Sequence, residues 1–203
     1  MSPNKIVITG TIGSGKSALS SIIRELGFVV IDSDQVNKKL LEKGQANYEA
    51  IKKDPFFRKT FENEDLDKNK LAKMIFASPD LMTRLNKLTH PNIMAEIERQ
   101  IGSLDEKNVF VEIPLFYQME AKFDPDLILF VRASEEIQIK RLTERDGINE
   151  LYAKSKIATQ EKSIIAKDDG KIIIDNDGSI EELRAKIIEI LRTENILWKH
   201  SKL

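Results

Sequence analysis

The amino-acid sequence predicts an α/β fold: a five-stranded parallel sheet with helices on both faces. Three observations carry that expectation. Apolar, β-rich runs recur at Lys5–Thr9, Phe28–Ile31, Val109–Ile113, Leu127–Val131 and Ile172–Ile174, each continuous rather than alternating, as strands covered on both faces are. Helical patterns separate these runs, the alternation that builds a doubly wound sheet. Between the first run and the first helical pattern lies Gly10-Thr11-Ile12-Gly13-Ser14-Gly15-Lys16-Ser17, which fits G-x-x-x-x-G-K-[ST] without a mismatch.

Each element has its own warrant. The first strand, Lys5–Thr9, runs into the Gly-rich turn, and Ser17 through Leu26 then reads as a helix whose Leu19, Ile22, Ile23 and Leu26 share an apolar face, ended by Gly27. A turn of this kind points backbone N–H groups at a phosphate, and the helix N-terminus adds partial positive charge. Lys16 is expected to reach the β- and γ-phosphates of a nucleoside triphosphate, and the Ser17 hydroxyl to ligate Mg²⁺. The predicted class is therefore a P-loop NTPase. Strand two ends in Ile31-Asp32-Ser33-Asp34. In a continuing strand Asp32 and Asp34 share a face, one carboxylate taking a proton from an acceptor hydroxyl and the other binding Mg²⁺ through water. The same residues also read as a turn that caps the next helix.

The rhythm breaks between Ile31 and Val109, where a long, mostly helical interval includes Leu71–Phe76, Leu81–Leu88 and Ile93–Ile101, with Pro79 after Ser78 and Pro91 as helix starts. A crossover helix needs far fewer residues. The interval reads as an insertion at the carboxyl end of strand two, either an acceptor-binding lobe or a structural decoration. Glu112 breaks the third apolar run; on a central strand it requires a partner, Lys16 or Mg²⁺, and at a sheet edge it does not. Phe116 and Tyr117 line an acceptor pocket or pack on the helical lobe. Ser134 is a candidate cap for a helix on which Arg141 and Arg145 share a face. Asp146-Gly147 marks a turn, and Asn149 caps a further helix through Gln160. This basic helix–turn–helix folds over the phosphates as a lid or presents a solvated face. Ser179 and Glu182 form a capping-box pattern before the last helix. The expected organisation is a single chain, 1–203, with a core of 1–34, 105–137 and 168–203, an insertion of 35–104 and a lid of 138–167.

Composition narrows the function. The net charge of −1 gives no support to a nucleic-acid or anionic-membrane partner. There is no cysteine, which excludes disulfides, thiol catalysis and Cys-ligated zinc, and the two histidines, His90 and His200, are too few for most His-built metal sites. No apolar run is long enough for a signal peptide or a membrane span, so a cytoplasmic protein acting on a small molecule, with no obligate protein partner, is expected. Asn86-Lys87-Leu88-Thr89 lacks the Asp that reads guanine, and Asp175-Asn176-Asp177-Gly178 stands in the wrong order for a GTPase, so the second is the turn after strand five, where P-loop kinases hold adenine.

Read in order, the motifs resemble the dephospho-CoA kinase family. They are Thr9 through Ser17, Gly27, Ile31-Asp32-Ser33-Asp34, Leu66-Asp67, His90-Pro91, Pro114-Leu115-Phe116, Gln138, Arg141, Arg145-Asp146, Gln160 and Asn176. The resemblance implies that Gly10, Thr11, Ile12, Gly13, Ser14, Gly15, Lys16 and Ser17 bind ATP phosphates and Mg²⁺, and that Asn176 lies near the adenine. It implies that Asp34 is the general base for the ribose 3′-hydroxyl of dephospho-CoA and that Asp32 supports the metal. His90, Pro114, Leu115 and Phe116 fall on the acceptor side, and Arg141 and Arg145 become lid arginines facing the transferred phosphoryl group. The family usually has Gly at Thr11, Arg at Lys68, Asp at Glu112 and Glu at Gln118, and its Ala-Asp before strand five is blurred into Ala166-Lys167-Asp168-Asp169. The competing readings are a nucleoside or nucleotide monophosphate kinase on the same scaffold and a P-loop ATPase or GTPase switch module.

Overall fold

A computed structural model describes residues 3–119, 121–164 and 171–196, without the side chains of 161–164. The expected Ala166–Asp169 element and the Trp198–Leu203 end lie outside them. The sheet strands are β1 (Asn4–Gly10), β2 (Val29–Asp32), β5 (Asn108–Glu112), β6 (Leu127–Arg132) and β7 (Ile172–Asp175), in the order β2-β5-β1-β6-β7. Strand β1 is central and runs parallel to β5, with Ile8 opposite Glu112, and to β6, with Gly10 opposite Val131. All five expected strands exist, each within a residue or two of the apolar run that signalled it. Ile6, Val7 and Ile8 are at most 1% exposed, so both faces of β1 are covered, the reason its run is continuous. Glu112 is buried on β5, between β2 and β1, and is not at an edge.

The helices are α1 (Lys16–Glu25), α2 (Ser33–Leu40), α3 (Ala46–Lys53), α4 (Lys68–Phe76), α5 (Pro79–Gly102), α6 (Glu135–Asp146), α7 (Glu150–Ile164) and α8 (Ile180–Thr193). A short antiparallel hairpin pairs β3 (Phe61–Glu62) with β4 (Asp65–Leu66). The chain forms two compact units. One holds residues up to Ile31, Asp105–Gln118 and those from Asp124 onward; the other holds Asp32–Leu104 and Met119–Phe123. No described helix is long and apolar enough to cross a membrane.

In the first unit α1 and α8 cover one sheet face. Leu19, Ile22 and Ile23 pack with Leu183, Ile187 and Leu191 over Ile6, Ile8, Leu129 and Val131. Burying such side chains contributes about 1.5–3 kcal/mol each, the main term holding α1 behind the Gly-rich turn. The Ser179–Glu182 capping box starts α8 as expected. Ser134 precedes α6, but its side chain makes no cap; its backbone N–H instead donates to Asp177 Oδ1 at 2.7 Å. Asn149 does cap α7, accepting from the Tyr152 N–H at 2.9 Å.

The second unit is helical around Ile51, Phe57 and Leu71. Pro91 does not start a helix; it lies inside α5, a single helix of 24 residues. A mid-helix proline removes one N–H and crowds the preceding turn. Side-chain donors serve that turn: Thr89 Oγ1 donates to the Leu85 carbonyl at 2.9 Å and Asn92 Nδ2 to the Leu88 carbonyl at 3.3 Å. The hairpin was not expected either. Its turn residues Asn63 and Glu64 both have positive φ, 47° and 71°, and a glutamate there carries no turn signal. Tyr48 OH donates to the Glu64 carbonyl and Lys52 pairs with its carboxylate, which holds that backbone in place.

Candidate functional site

The site begins where β1 ends. Helix α1 starts at Lys16 with Gly15 as its N-cap at φ 95°, ψ 27°, no side chain caps it, and its first turn has no acidic residue. The positive end of its dipole is therefore not neutralised from within the helix. A side chain at position 15 has no room: a Cβ there would fall on the Asn176 amide nitrogen. Sequence and geometry agree that this turn is built for close approach of an anion to backbone.

Three side chains, one from the loop itself and two from elsewhere, fix the loop by its carbonyls. Lys16 Nζ donates to Gly10 O at 3.1 Å and Thr11 O at 2.8 Å. Arg141 Nη1, from α6, reaches Gly13 O at 3.4 Å and Ser14 O at 3.2 Å. Asn176 Nδ2, just past β7, donates to Ser14 O at 2.7 Å and is buried there. Cationic donors on the carbonyl side are charge-assisted and hold the peptide planes in one orientation.

Beside the loop opens a cavity of about 600 Å³. Gly13, Gly15, Lys16 and Ser17 form one wall, Arg141, Glu144 and Arg145 another, and Asn176, Gly178 and Ile180 a third. That volume suits a mononucleotide-sized ligand. The wall holds three cationic side chains against the single carboxylate of Glu144. Arg145 is paired with Asp146 through Nε at 2.7 Å and Nη2 at 3.0 Å. The Asp146 hydrogen bond raises the Arg145 guanidinium above its ordinary value, and Arg145 lowers the Asp146 carboxyl below its own.

The structure thus brings Gly13, Gly15, Lys16, Ser17, Arg141, Arg145 and Asn176 together around one cavity. Pro114, Leu115 and Phe116 lie in the same unit, after β5: the Pro114 carbonyl accepts from Thr9 Oγ1 at 3.4 Å, Leu115 is exposed, and Phe116 stands edge-on to Tyr117 at 5.4 Å. Tyr117 in turn packs on Phe130, with Lys171 Nζ 5.2 Å from its ring centre. Asp32, Asp34 and His90 belong to the second unit. The shared strand face expected for the two aspartates does not exist, because β2 ends at Asp32. Asp32 Oδ1 accepts from the Asp34 and Gln35 N–H groups and caps α2, so Asp34 sits exposed in the first helical turn. The capping reading of this segment is the one the backbone follows. His90 lies half-buried on α5.

Sequence reasoning missed Gly178, Ile180, Leu183 and Glu144 as cavity walls. Leu183 carries only the apolar signal of a core helix face, and Ile180, 51% exposed at the start of α8, carries no motif signal. The signal available was the motif spacing: α8 begins just after Asn176.

A glycine-built anion cradle at the end of the central strand, with a mononucleotide-sized cavity beside it, defines a P-loop nucleotide-binding protein. Comparison with known proteins narrows the class. The family model for dephospho-CoA kinase matches residues 5–182. The chain belongs to that family. It is 35% identical over 202 residues to the dephospho-CoA kinase of Carboxydothermus hydrogenoformans, covering 96% of this chain and 94% of that protein. Its fold matches the dephospho-CoA kinase structure from Campylobacter jejuni with a TM-score of 0.65 and 26% identity, over 96% of this chain and 100% of that one. It also matches the crystal structure of TT1252 from Thermus thermophilus with a TM-score of 0.77 and 27% identity, over 95% and 98%.

Proposed function

We propose that the protein transfers the γ-phosphoryl group of ATP to the ribose 3′-hydroxyl of dephospho-CoA, giving ADP and coenzyme A, the last step of coenzyme A biosynthesis. One observation carries the reading: the Gly10–Ser17 cradle lies in a chain that matches the dephospho-CoA kinase family across residues 5–182. Relatives along nearly its whole length bear the same name.

The chemistry needs little covalent help from protein. The 3′-oxygen attacks the γ-phosphorus, an O–P bond forms in line, and the bond to the β–γ bridging oxygen breaks with its electrons leaving on ADP. The hydroxyl proton passes to the Asp34 carboxylate, exposed in the first turn of α2. Lys16 exchanges the Gly10 and Thr11 carbonyls for the β- and γ-phosphates, a stronger partner for an ammonium than neutral oxygens. Arg141 and Arg145 offset charge on the transferred group, and the N–H groups of the Gly10–Ser17 loop bind the remaining phosphate oxygens. The adenine lies between Asn176, Ile180 and the α6 wall. His90, Pro114, Leu115 and Phe116 hold the acceptor.

Among the described residues no group of three or more His, Cys, Asp or Glu is placed to hold a metal ion. That suits an ion that rides on the triphosphate, since Mg²⁺ keeps several waters and takes one or two protein ligands plus phosphates. The Ser17 hydroxyl, exposed at the cavity, would hold it directly and Asp32 through water, by the oxygen not used for capping. When bound, Mg²⁺ supplies charge neutralisation at the β- and γ-oxygens. A cytoplasmic enzyme acting on small molecules, without nucleic acid, membrane or an obligate protein partner, fits the net charge of −1.

The test is an acceptor panel. Purified protein with ATP and Mg²⁺ is expected to phosphorylate dephospho-CoA far faster than AMP, CMP or deoxyadenosine. Preference for any of the smaller acceptors would replace this reading with a nucleoside or nucleotide kinase. Hydrolysis indifferent to every acceptor would point to a switch module.

A further inference from the structure

We propose that Gln160 is a positioning residue: with Ile12 it latches the α6–α7 hairpin to the phosphate loop, so that loop and lid arginines meet the nucleotide as one preformed piece. The proposal rests on the transfer reading above. It starts from the half of the loop that precedes Gly13. The Thr11 N–H donates to the Val131 carbonyl at 3.1 Å, tying the loop to the sheet. The next N–H, that of Ile12, donates instead to Gln160 Oε1, on α7. Its side chain turns the same way. Ile12 packs into the apolar cluster of the hairpin, against Leu142, Ala153 and Ile157, which are at most 3% exposed. The tip of the phosphate loop is thus part of the lid's own core.

Helix α6 closes the other side. Gln138, 3% exposed, donates through Nε2 to Thr11 Oγ1 at 2.5 Å. Its backbone lies against Gly13, where a Cβ would stand 3.1 Å from the Gln138 carbonyl. Arg141, the next residue before Leu142 of the cluster, reaches Gly13 O and Ser14 O. Consecutive residues of one helix therefore carry the apolar anchor and the cation. A hairpin swinging away as a rigid flap would have to pull Ile12 out of its cluster and strip its N–H of a partner. The geometry instead predefines where Arg141 stands before any nucleotide arrives, and preorganised charge is what stabilises a phosphoryl-transfer transition state.

The experiment compares wild type with Gln160→Leu, which keeps the size of the side chain and removes the accepting oxygen. Hydrogen exchange in the nucleotide-free protein reads the latch itself. The amide of residue 12 is expected to exchange roughly five- to tenfold faster in the variant, while that of Thr11 is unchanged. Kinetics read the consequence. We expect kcat for transfer to fall about tenfold with KM for ATP within about threefold, and the ratio of acceptor-independent ATP hydrolysis to transfer to rise about tenfold, because water enters a site whose charge is no longer fixed. Unchanged exchange at residue 12 overturns the latch. Faster exchange with an unchanged hydrolysis-to-transfer ratio overturns the positioning role. If Gln160→Leu does not fold, Ile12→Ala removes the apolar half of the latch and is read by the same two measurements. A wild-type protein that ignores dephospho-CoA refutes the transfer reading alone, since the exchange result stands without it.

Discussion

Gly15→Ala is the substitution whose cost follows most directly from the loop geometry. Residue 15 has φ 95°, and a Cβ added there lands on the Asn176 amide nitrogen. Left-handed backbone costs an L-residue about 1–2 kcal/mol. The Asn176 amide must also move, breaking its 2.7 Å bond to the buried Ser14 carbonyl, worth about 1 kcal/mol net. Against this, alanine stiffens the unfolded chain and returns about 0.4–1 kcal/mol. The net is about 2 kcal/mol, which in a chain of this size lowers Tm by roughly 4–8 °C. Thermal unfolding followed by circular dichroism measures it. The mechanism has its own signature in a double-mutant cycle. Asn176→Ala alone should cost about 1 kcal/mol, but under about 0.5 kcal/mol in the Gly15→Ala background, where the bond is already gone. A Gly15→Ala protein that melts within about 1 °C of wild type, or an Asn176→Ala cost that is fully additive, refutes the close approach.

Three further outcomes are expected. Lys16→Ala should weaken ATP binding at least about tenfold by calorimetry, since it removes the ammonium that now donates to two loop carbonyls and would turn to the phosphates; equal ATP affinity would contradict the phosphate site. Ser179→Ala removes the side-chain half of the capping box that starts α8 and should cost about 1 kcal/mol, or about 2–4 °C in Tm. Glu96 is held down to about 2, first by its Arg99 hydrogen bond and then by Gln100, from an ordinary 4.5. A depressed carboxyl stabilises the fold fully above pH 4.5 and loses that contribution as pH falls toward 2. Glu96→Gln should therefore flatten the acid limb of a stability–pH curve across that window by less than about 1 kcal/mol, because the Arg99 side chain is 68% exposed and the pair is screened. An identical acid limb in both proteins refutes the assignment.

Much of this architecture is legible in the chain because β1, β5 and β6 are buried on both faces and written as continuous apolar runs. Lys5–Thr9 and Val109–Ile113 announce β1 and β5 with no knowledge of their neighbours. The cradle is legible because its chemistry admits few alternatives: Gly15 stands where a Cβ meets Asn176, and Lys16 opens an uncapped helix. What stayed hidden depends on tertiary contacts. Pro91 passes for a helix start unless Thr89 and Asn92 are seen to serve the carbonyls of the turn before it. Glu64 at a left-handed turn makes sense only beside Tyr48 and Lys52. Asp32 and Asp34 read as a strand pair by period, while local capping by Asp32 decided the backbone. Ile12 looks like an arbitrary loop residue until the α6–α7 cluster surrounds it.

Coupled ADP release from the purified protein, with ³¹P NMR of the product, tests whether the Gly10–Ser17 cradle delivers a phosphoryl group to a ribose hydroxyl with Asp34 as the base. The expected result is ADP release strongly stimulated by dephospho-CoA, one 3′-phosphomonoester formed per ADP, and a fall in kcat of roughly a hundredfold or more in Asp34→Asn with ATP binding retained. No stimulation above the ATPase background, or near-normal turnover in Asp34→Asn, would contradict it.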